Sequence, residues 1–193
     1  MMPLGSCTMK LNSVTELEPL LWDKIKNMHP YLPKKYTKGY NEMIKKLGDQ
    51  LLNLTGFDDI TFQTNSGAMG EYTGLLCIKK YFTEKNKNNN VCLIPESAHG
   101  TNFASAKLAN MKIVKFKDSI TLDDFTELLE KHKKDLACLM ITYPGTNGVF
   151  QENIKEICNL IHKYNGLVYL DGANMNALVG ITKPAEIGFD ICH

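Results

Sequence analysis

The carboxylate of Asp171 closes the apolar run Leu167-Val168-Tyr169-Leu170 and opens Gly172-Ala173-Asn174. A carboxylate at the end of a buried strand is costly unless a cation or hydrogen-bond donors compensate it. One suitable partner is the protonated ring nitrogen of a pyridine cofactor, which a neighbouring carboxylate keeps protonated so that the ring works as an electron sink. The other is the backbone of the next turn, capped by Asp171 itself. Three more stretches have the residue types of a ligand loop. Thr64-Asn65-Ser66-Gly67-Ala68-Met69-Gly70 leads into a helical pattern, and its small residues let backbone N–H groups and a helix dipole face a phosphate, or simply start a helix tightly. In Pro95-Glu96-Ser97-Ala98-His99-Gly100-Thr101-Asn102, the histidine either shows its ring face to a flat aromatic ligand or bonds to backbone. Tyr143-Pro144-Gly145-Thr146-Asn147-Gly148 carries hydroxyls and glycines and reads as a turn unless a neighbour recruits it. A phosphate cup, a stacking ring, hydroxyls and a carboxylate for a ring nitrogen together match the requirements of pyridoxal phosphate. The glycine fingerprint of a nicotinamide site is absent, as is a P-loop.

Positioning these loops requires strands that end at one edge. From Ile60 onward, short apolar runs at Ile60–Gln63, Val91–Ile94, Ile113–Phe116, Leu136–Thr142 and Leu167–Leu170 alternate with helical patterns. That alternation predicts a mostly parallel sheet covered by helices on both faces, a three-layer αβα fold whose ligands sit beyond the carboxyl ends of the strands. Thr121-Leu122-Asp123-Asp124 reads as the cap of one such helix, with an apolar face of Leu122, Phe125, Leu128 and Leu129 and a basic end at Lys131–Lys134. The first 58 residues read instead as a helical arm. Ser13-Val14-Thr15-Glu16 is a capping-box pattern ahead of Leu17, Leu20, Leu21 and Ile25. A second helix carries Met43, Ile44, Leu47, Leu51 and Leu54 up to Gly56, and two prolines in His29-Pro30-Tyr31-Leu32-Pro33 forbid continuity between them. The expected division is therefore an arm over 1–58 and an α/β domain over 59–193. The polar run Lys85-Asn86-Lys87-Asn88-Asn89-Asn90 reads as a solvated loop tip.

Composition excludes several function classes. Twenty-two basic against twenty-one acidic residues give a formal charge of +1, so no global field recruits nucleic acid or an anionic membrane. Any bound anion needs a local site. Apolar runs such as Leu136–Ile141 fall far short of the roughly 20 residues a membrane helix needs, and no secretory signal pattern opens the sequence. The six cysteines, Cys7, Cys77, Cys92, Cys138, Cys158 and Cys192, form no C-x-x-C pair and no zinc signature. Cys92 and Cys138 read as small reduced core residues.

Taken together, the loop sequences resemble one family throughout: the carboxyl-terminal, cofactor-bearing half of glycine dehydrogenase (decarboxylating), the P-protein of the glycine cleavage system. The resemblance rests on Pro3–Asn12, Ser66-Gly67-Ala68 with Gly70-Glu71-Tyr72, Ser97–Asn102, Thr142-Tyr143-Pro144 and Tyr169–Ala177. It implies a fold-type I, aspartate-aminotransferase-like large domain that binds pyridoxal 5'-phosphate. It also implies decarboxylation of glycine, with transfer of the aminomethyl group to the lipoyl arm of the H-protein. By the same resemblance Ser66, Gly67 and Ala68 bind the phosphate, His99 stacks on the pyridine ring, Ala173 packs on its other face, Asp171 pairs with the ring nitrogen, and Thr142 offers a hydroxyl. The catalytic pair would be His99 and Asp171. Glycine, the lipoylated H-protein and the other glycine cleavage proteins would be partners, with a homo-oligomer or pairing with an amino-terminal half. The compartment would be the mitochondrial matrix in a eukaryote and the cytoplasm in a bacterium.

Five positions depart from the family pattern: Thr64, Met69, Phe103, Gly145 and Leu178. The lysine that links covalently to the cofactor in this family lies beyond the motif matching Asp190-Ile191-Cys192-His193, and neither Lys183 nor any other lysine here occupies it. The expectation is a fragment inactive by itself. Two other readings stand: a non-catalytic, lysine-free relative serving as an interaction partner, and a different fold-type I enzyme.

Overall fold

The computed structural model describes residues 13–29 and 31–193, so Pro3–Asn12, Cys7 and Pro30 lie outside the described residues. Two compact units emerge, one ending at Asp49 and one running from Gln50 to His193. In the first, the expected helix through Leu17, Leu20, Leu21 and Ile25 is broken. Helix α1 (Val14–Leu17) passes into a 3₁₀ turn over Glu18–Leu21, followed by α2 (Asp23–Lys26). Pro19 is the cause, because it has no N–H for an α-helical bond and sits at the start of the tighter turn. Glu16 accepts the Ser13 N–H at 3.3 Å, as the capping pattern implies. A 3₁₀ turn at Lys34–Tyr36 precedes α3 (Lys38–Thr55). That helix ends where expected, at Gly56, which adopts φ +80°. A Cβ there would also lie 3.3 Å from the Lys183 and Ala185 side chains, so glycine satisfies both the left-handed backbone and the close approach.

In the second unit the order is α4 (Gly67–Glu84), β1 (Val91–Pro95), α5 (Gly100–Leu108), β2 (Lys112–Phe116), α6 (Leu122–His132), β3 (Leu136–Thr142), α7 (Ile154–Lys163), β4 (Leu167–Asp171), α8 (Pro184–Ile187) and β5 (Ile191–Cys192). The strands form one sheet in the order β2-β1-β3-β4-β5, and every pairing in it is parallel. Alternate residues of each strand feed opposite layers. Cys92, Ile94, Cys138, Met140 and Tyr169 pack with Leu75, Ile78 and Phe82 of α4 and Ala106 of α5. Val91, Leu93, Leu139, Val168 and Leu170 pack with Phe125 and Leu129 of α6 and Ile154, Ile157 and Ile161 of α7. The αβα layering expected from the sequence is the layering observed. Cys92 and Cys138 are buried free thiols on neighbouring strands, 3.5 Å apart at sulfur.

One expected strand is absent. Ile60–Gln63 has no strand assignment and no sheet partner, and Ile60 and Phe62 remain 37% and 41% exposed. Side chains take backbone donors that a ladder would have used: Asp59 Oδ1 accepts the Ile60 N–H at 2.8 Å, and Thr61 Oγ1 accepts the Gln63 N–H at 3.3 Å.

Candidate functional site

Three element ends converge at the carboxyl edge of the sheet. The first is the start of α4. Ser66 is its N-cap in extended conformation, and its hydroxyl accepts the Met69 N–H at 3.2 Å. Gly67 and Ala68 then occupy the first helical positions, whose N–H groups have no intrahelical acceptor. The second is the start of α5, where His99 is the N-cap and its Nδ1 lies 3.2 Å from the Thr101 N–H. The His99 ring is exposed. The third is the end of β4, where register pairing sets Thr142 opposite Asp171.

Asp171 is 3% exposed, and donors from three elements fix it. Its Oδ2 accepts from Asn102 Nδ2 at 3.0 Å and Thr142 Oγ1 at 3.2 Å, while its Oδ1 accepts the Ala173 N–H at 3.0 Å. The sequence left a choice between cofactor partner and turn cap. The structure shows the cap, a 3₁₀ turn over Gly172–Ala177, made by one oxygen only. The other oxygen is held toward α5, on the face that Tyr169 shares.

Sequence reasoning singled out neither Glu71, Asn102, Tyr169 nor His193 as a site residue, yet all four lie here. Glu71 on α4 is 3% exposed; its Oε1 accepts the Thr101 hydroxyl at 2.8 Å. His193 Nδ1 lies 3.1 Å from the Tyr169 hydroxyl, and its Nε2 is 3.8 Å from Asp171 Oδ1 and 3.9 Å from Glu71 Oε1. The same side chain backs the start of α4: a Cβ on Gly70 would come within 2.9 Å of His193 Cβ. A signal for Glu71 did exist, since it stands four and seven residues before the buried Leu75 and Ile78, on the apolar face of its helix. An acid on such a face must find donors. Asn102 shares the buried face of α5 with Ser105 and Ala106 in the same way.

The remaining expected residues are distributed less tightly. Ala173 is exposed and contributes its N–H. A cleft of about 250 Å³ opens between the loops after β1 and β3, where the strand order reverses, lined by Ser97, Ala98, Asp118, Thr142, Gly145 and Gln151. It reaches Thr142 but not His99 or Asp171. Of the departures from the family pattern, Met69 is exposed and Leu178 is buried. Phe103 carries the Lys115 ammonium 4.7 Å above its ring. At Gly145 a Cβ would meet Asn147 Oδ1 at 2.9 Å, so the smaller residue fits its tight turn.

Do these residues fit pyridoxal phosphate? The buried atoms Asn102 Oδ1 and Glu71 Oε2 have no hydrogen-bond partner among the described residues. Unpaired acceptors of this kind beside an oriented carboxylate suit a donor-bearing ligand. An exposed ring at one helix start and open N–H groups at another suit a flat phosphorylated one. The donor set fits the group.

Solved structures share this architecture. The chain superposes with a TM-score of 0.68 over 93% of its length, at 12% identity, on a glycine decarboxylase (P-protein) of the glycine cleavage system in inhibitor-bound form, covering 40% of that chain. A SepCysS–SepCysE N-terminal domain complex gives 0.62 over 83%, at 17% identity, covering 47% of that chain. A cystathionine gamma lyase from Micromonospora echinospora gives 0.57 over 77%, at 16% identity and 36% of that chain. The fold is that of the fold-type I pyridoxal-phosphate enzymes. No family model matches the chain. At the level of a particular protein, the likeness is to glycine dehydrogenase (decarboxylating), and it runs through the whole chain. Identity is 52% to the mitochondrial proteins of Gallus gallus and Homo sapiens and 50% to that of Sinorhizobium medicae. The chain spans about a fifth of the length of these relatives, 19 to 21%.

Proposed function

We propose that the chain contributes the cofactor-binding face of a pyridoxal-phosphate-dependent glycine decarboxylase, which releases CO₂ from glycine and passes the aminomethyl group to the lipoyl arm of the H-protein. The observation that carries this reading is Asp171: a buried carboxylate at the carboxyl end of β4, oriented by three donors beside two open helix starts. Its closest support is the identity of about half to glycine dehydrogenase (decarboxylating).

When bound, pyridoxal phosphate supplies a protonated pyridine ring able to accept the electron pair left as a carboxylate departs. The chain's own residues do the rest. The N–H groups of Gly67 and Ala68 with the Ser66 hydroxyl hold the phosphate at the positive end of α4. His99 offers its exposed ring as a stacking face, with Ala173 opposite. Asp171 keeps a proton on the ring nitrogen, and Asn102 and Thr142 hold that carboxylate in place. Thr142 thus acts on Asp171 rather than directly on the ligand. Glycine and the H-protein would be the partners, in an assembly of more than one chain. The compartment would follow the relatives, which include mitochondrial and bacterial proteins. No described helix is long and apolar enough to cross a membrane.

Titrating the chain with pyridoxal phosphate by calorimetry and absorbance tests the reading. Saturable one-to-one binding is expected, with no borohydride-stable adduct on any of its lysines, because none occupies the linking motif. Asp171→Asn is expected to weaken binding roughly tenfold, by loss of one charge-assisted hydrogen bond. Absence of binding at millimolar cofactor would remove the reading and favour a non-catalytic interaction role. An adduct on a defined lysine would instead show that a lysine of this chain links to the cofactor.

A further inference from the structure

Two contacts from Thr101 compete for one histidine nitrogen, and a third, to Glu71, competes for the same hydroxyl proton. The Thr101 hydroxyl donates to Glu71 Oε1 at 2.8 Å, its oxygen lies 2.8 Å from His99 Nδ1, and the Thr101 backbone N–H points at the same Nδ1 from 3.2 Å. The backbone contact requires a lone pair on Nδ1. The hydroxyl contact requires a proton between Oγ1 and Nδ1, and the hydroxyl has only one to give. Glu71 decides between them. Its carboxylate accepts and cannot donate, it is 3% exposed, and its second oxygen has no partner among the described residues. The His193 Nε2 atom stands 3.9 Å from Glu71 Oε1, beyond hydrogen-bond reach. Losing the Thr101 hydroxyl would leave a buried carboxylate without a donor, a costlier outcome than a longer cap at an exposed helix start.

We infer that Glu71, acting through Thr101, holds neutral His99 as the Nδ1–H tautomer, with Nδ1–H donating to Thr101 Oγ1 and Nε2 left as an acceptor. Glu71 and Thr101 are then positioning residues. They fix the edge and tilt of the ring that the proposed function turns toward the cofactor. The consequence for binding rests on that proposed function; the tautomer does not, because it is a property of the chain itself.

Long-range ¹H–¹⁵N correlation on the ¹⁵N-labelled chain, without cofactor at about pH 8.5 where imidazole is ordinarily neutral, reads the tautomer directly. Substituting His99→Gln assigns the signal. The expected result is a protonated Nδ1 in the unsubstituted chain and in Thr101→Ser, and a protonated Nε2 in Thr101→Val, where only the backbone N–H remains to face Nδ1. Glu71→Leu frees the hydroxyl to donate to Nδ1 and should switch the ring in the same direction, so misfolding of one variant leaves the other to decide. Protonated Nε2 in the unsubstituted chain, or an unchanged tautomer in Thr101→Val or in Glu71→Leu, overturns the inference. Pyridoxal phosphate affinity should fall roughly fivefold in Thr101→Val, the worth of one ordinary hydrogen bond, and recover in Thr101→Ser. A switched tautomer with unchanged affinity overturns the positioning role. A failure of every form to bind removes the proposed function and leaves the tautomer result standing.

Discussion

At the scale of residues, the site is a set of buried polar groups each held by a donor from a different element. Asp171 collects its hydrogen bonds from α5, β3 and its own turn. Removing one donor therefore affects stability as well as chemistry. Asn102→Leu leaves Asp171 Oδ2 with Thr142 alone and is expected to cost about 1–3 kcal/mol, measurable as a lower urea midpoint at unchanged slope. Thiols separate by burial in the same way. Cys77 is exposed, whereas Cys92, Cys138 and Cys158 are buried, and burial pushes the Cys158 thiol up to about 12. Because the thiolate is the reacting form, iodoacetamide at neutral pH should alkylate Cys77 before Cys92, Cys138 and Cys158, with Cys158 protected until the chain unfolds. Equal rates read by mass spectrometry would contradict the observed burial.

At the scale of elements, packing rather than propensity fixes where α4 lies. Gly74 faces Tyr169 so closely that a Cβ there would sit 2.4 Å from the ring. The Tyr169 hydroxyl donates to the Gly70 carbonyl at 3.2 Å. Gly74→Ala improves helix propensity yet should destabilise the chain by about 1–3 kcal/mol through overpacking, with the start of α4 displaced from Asp171. Thermal melting checks the first effect, and a matching loss of pyridoxal phosphate affinity checks the second. Helix α6 was legible in sequence because its apolar residues recur at helical spacing and Thr121 caps Asp124 as expected, at 3.1 Å. The run at Ile60–Gln63 misled because alternation signals a half-buried face without saying that a partner strand is there to receive it.

At the scale of the whole molecule, the two core layers meet a single edge where the chemistry collects, and that edge depends on the sheet staying folded. Stability should fall in alkali. Burial raises Cys158 and Cys192 to about 12, and it also raises Tyr169. The unfolded chain loses thiol protons near the ordinary value of about 8.5, while the folded chain keeps them. Between roughly pH 9 and pH 12 the folded state therefore binds more protons, and unfolding becomes easier as pH rises. Urea midpoints should be level near neutrality and decline above about pH 9, and Cys158→Ala should flatten that decline.

The layering, the parallel sheet and the strand and helix ends that carry Ser66, His99, Thr142 and Asp171 were readable from the order of residues alone. Strand-to-helix alternation and small residues at element starts are local signals that survive without coordinates. What those residues touch came from packing between distant elements. That packing joined Glu71 to His99 through Thr101 across 30 and 2 positions of sequence, brought Asn102 to Asp171 across 69, and left Asp171 serving as turn cap and oriented carboxylate at once. Hydrogen-bond partners are set by which helix lies over which strand end, and no periodicity within one element records the side chain that a distant element brings to it.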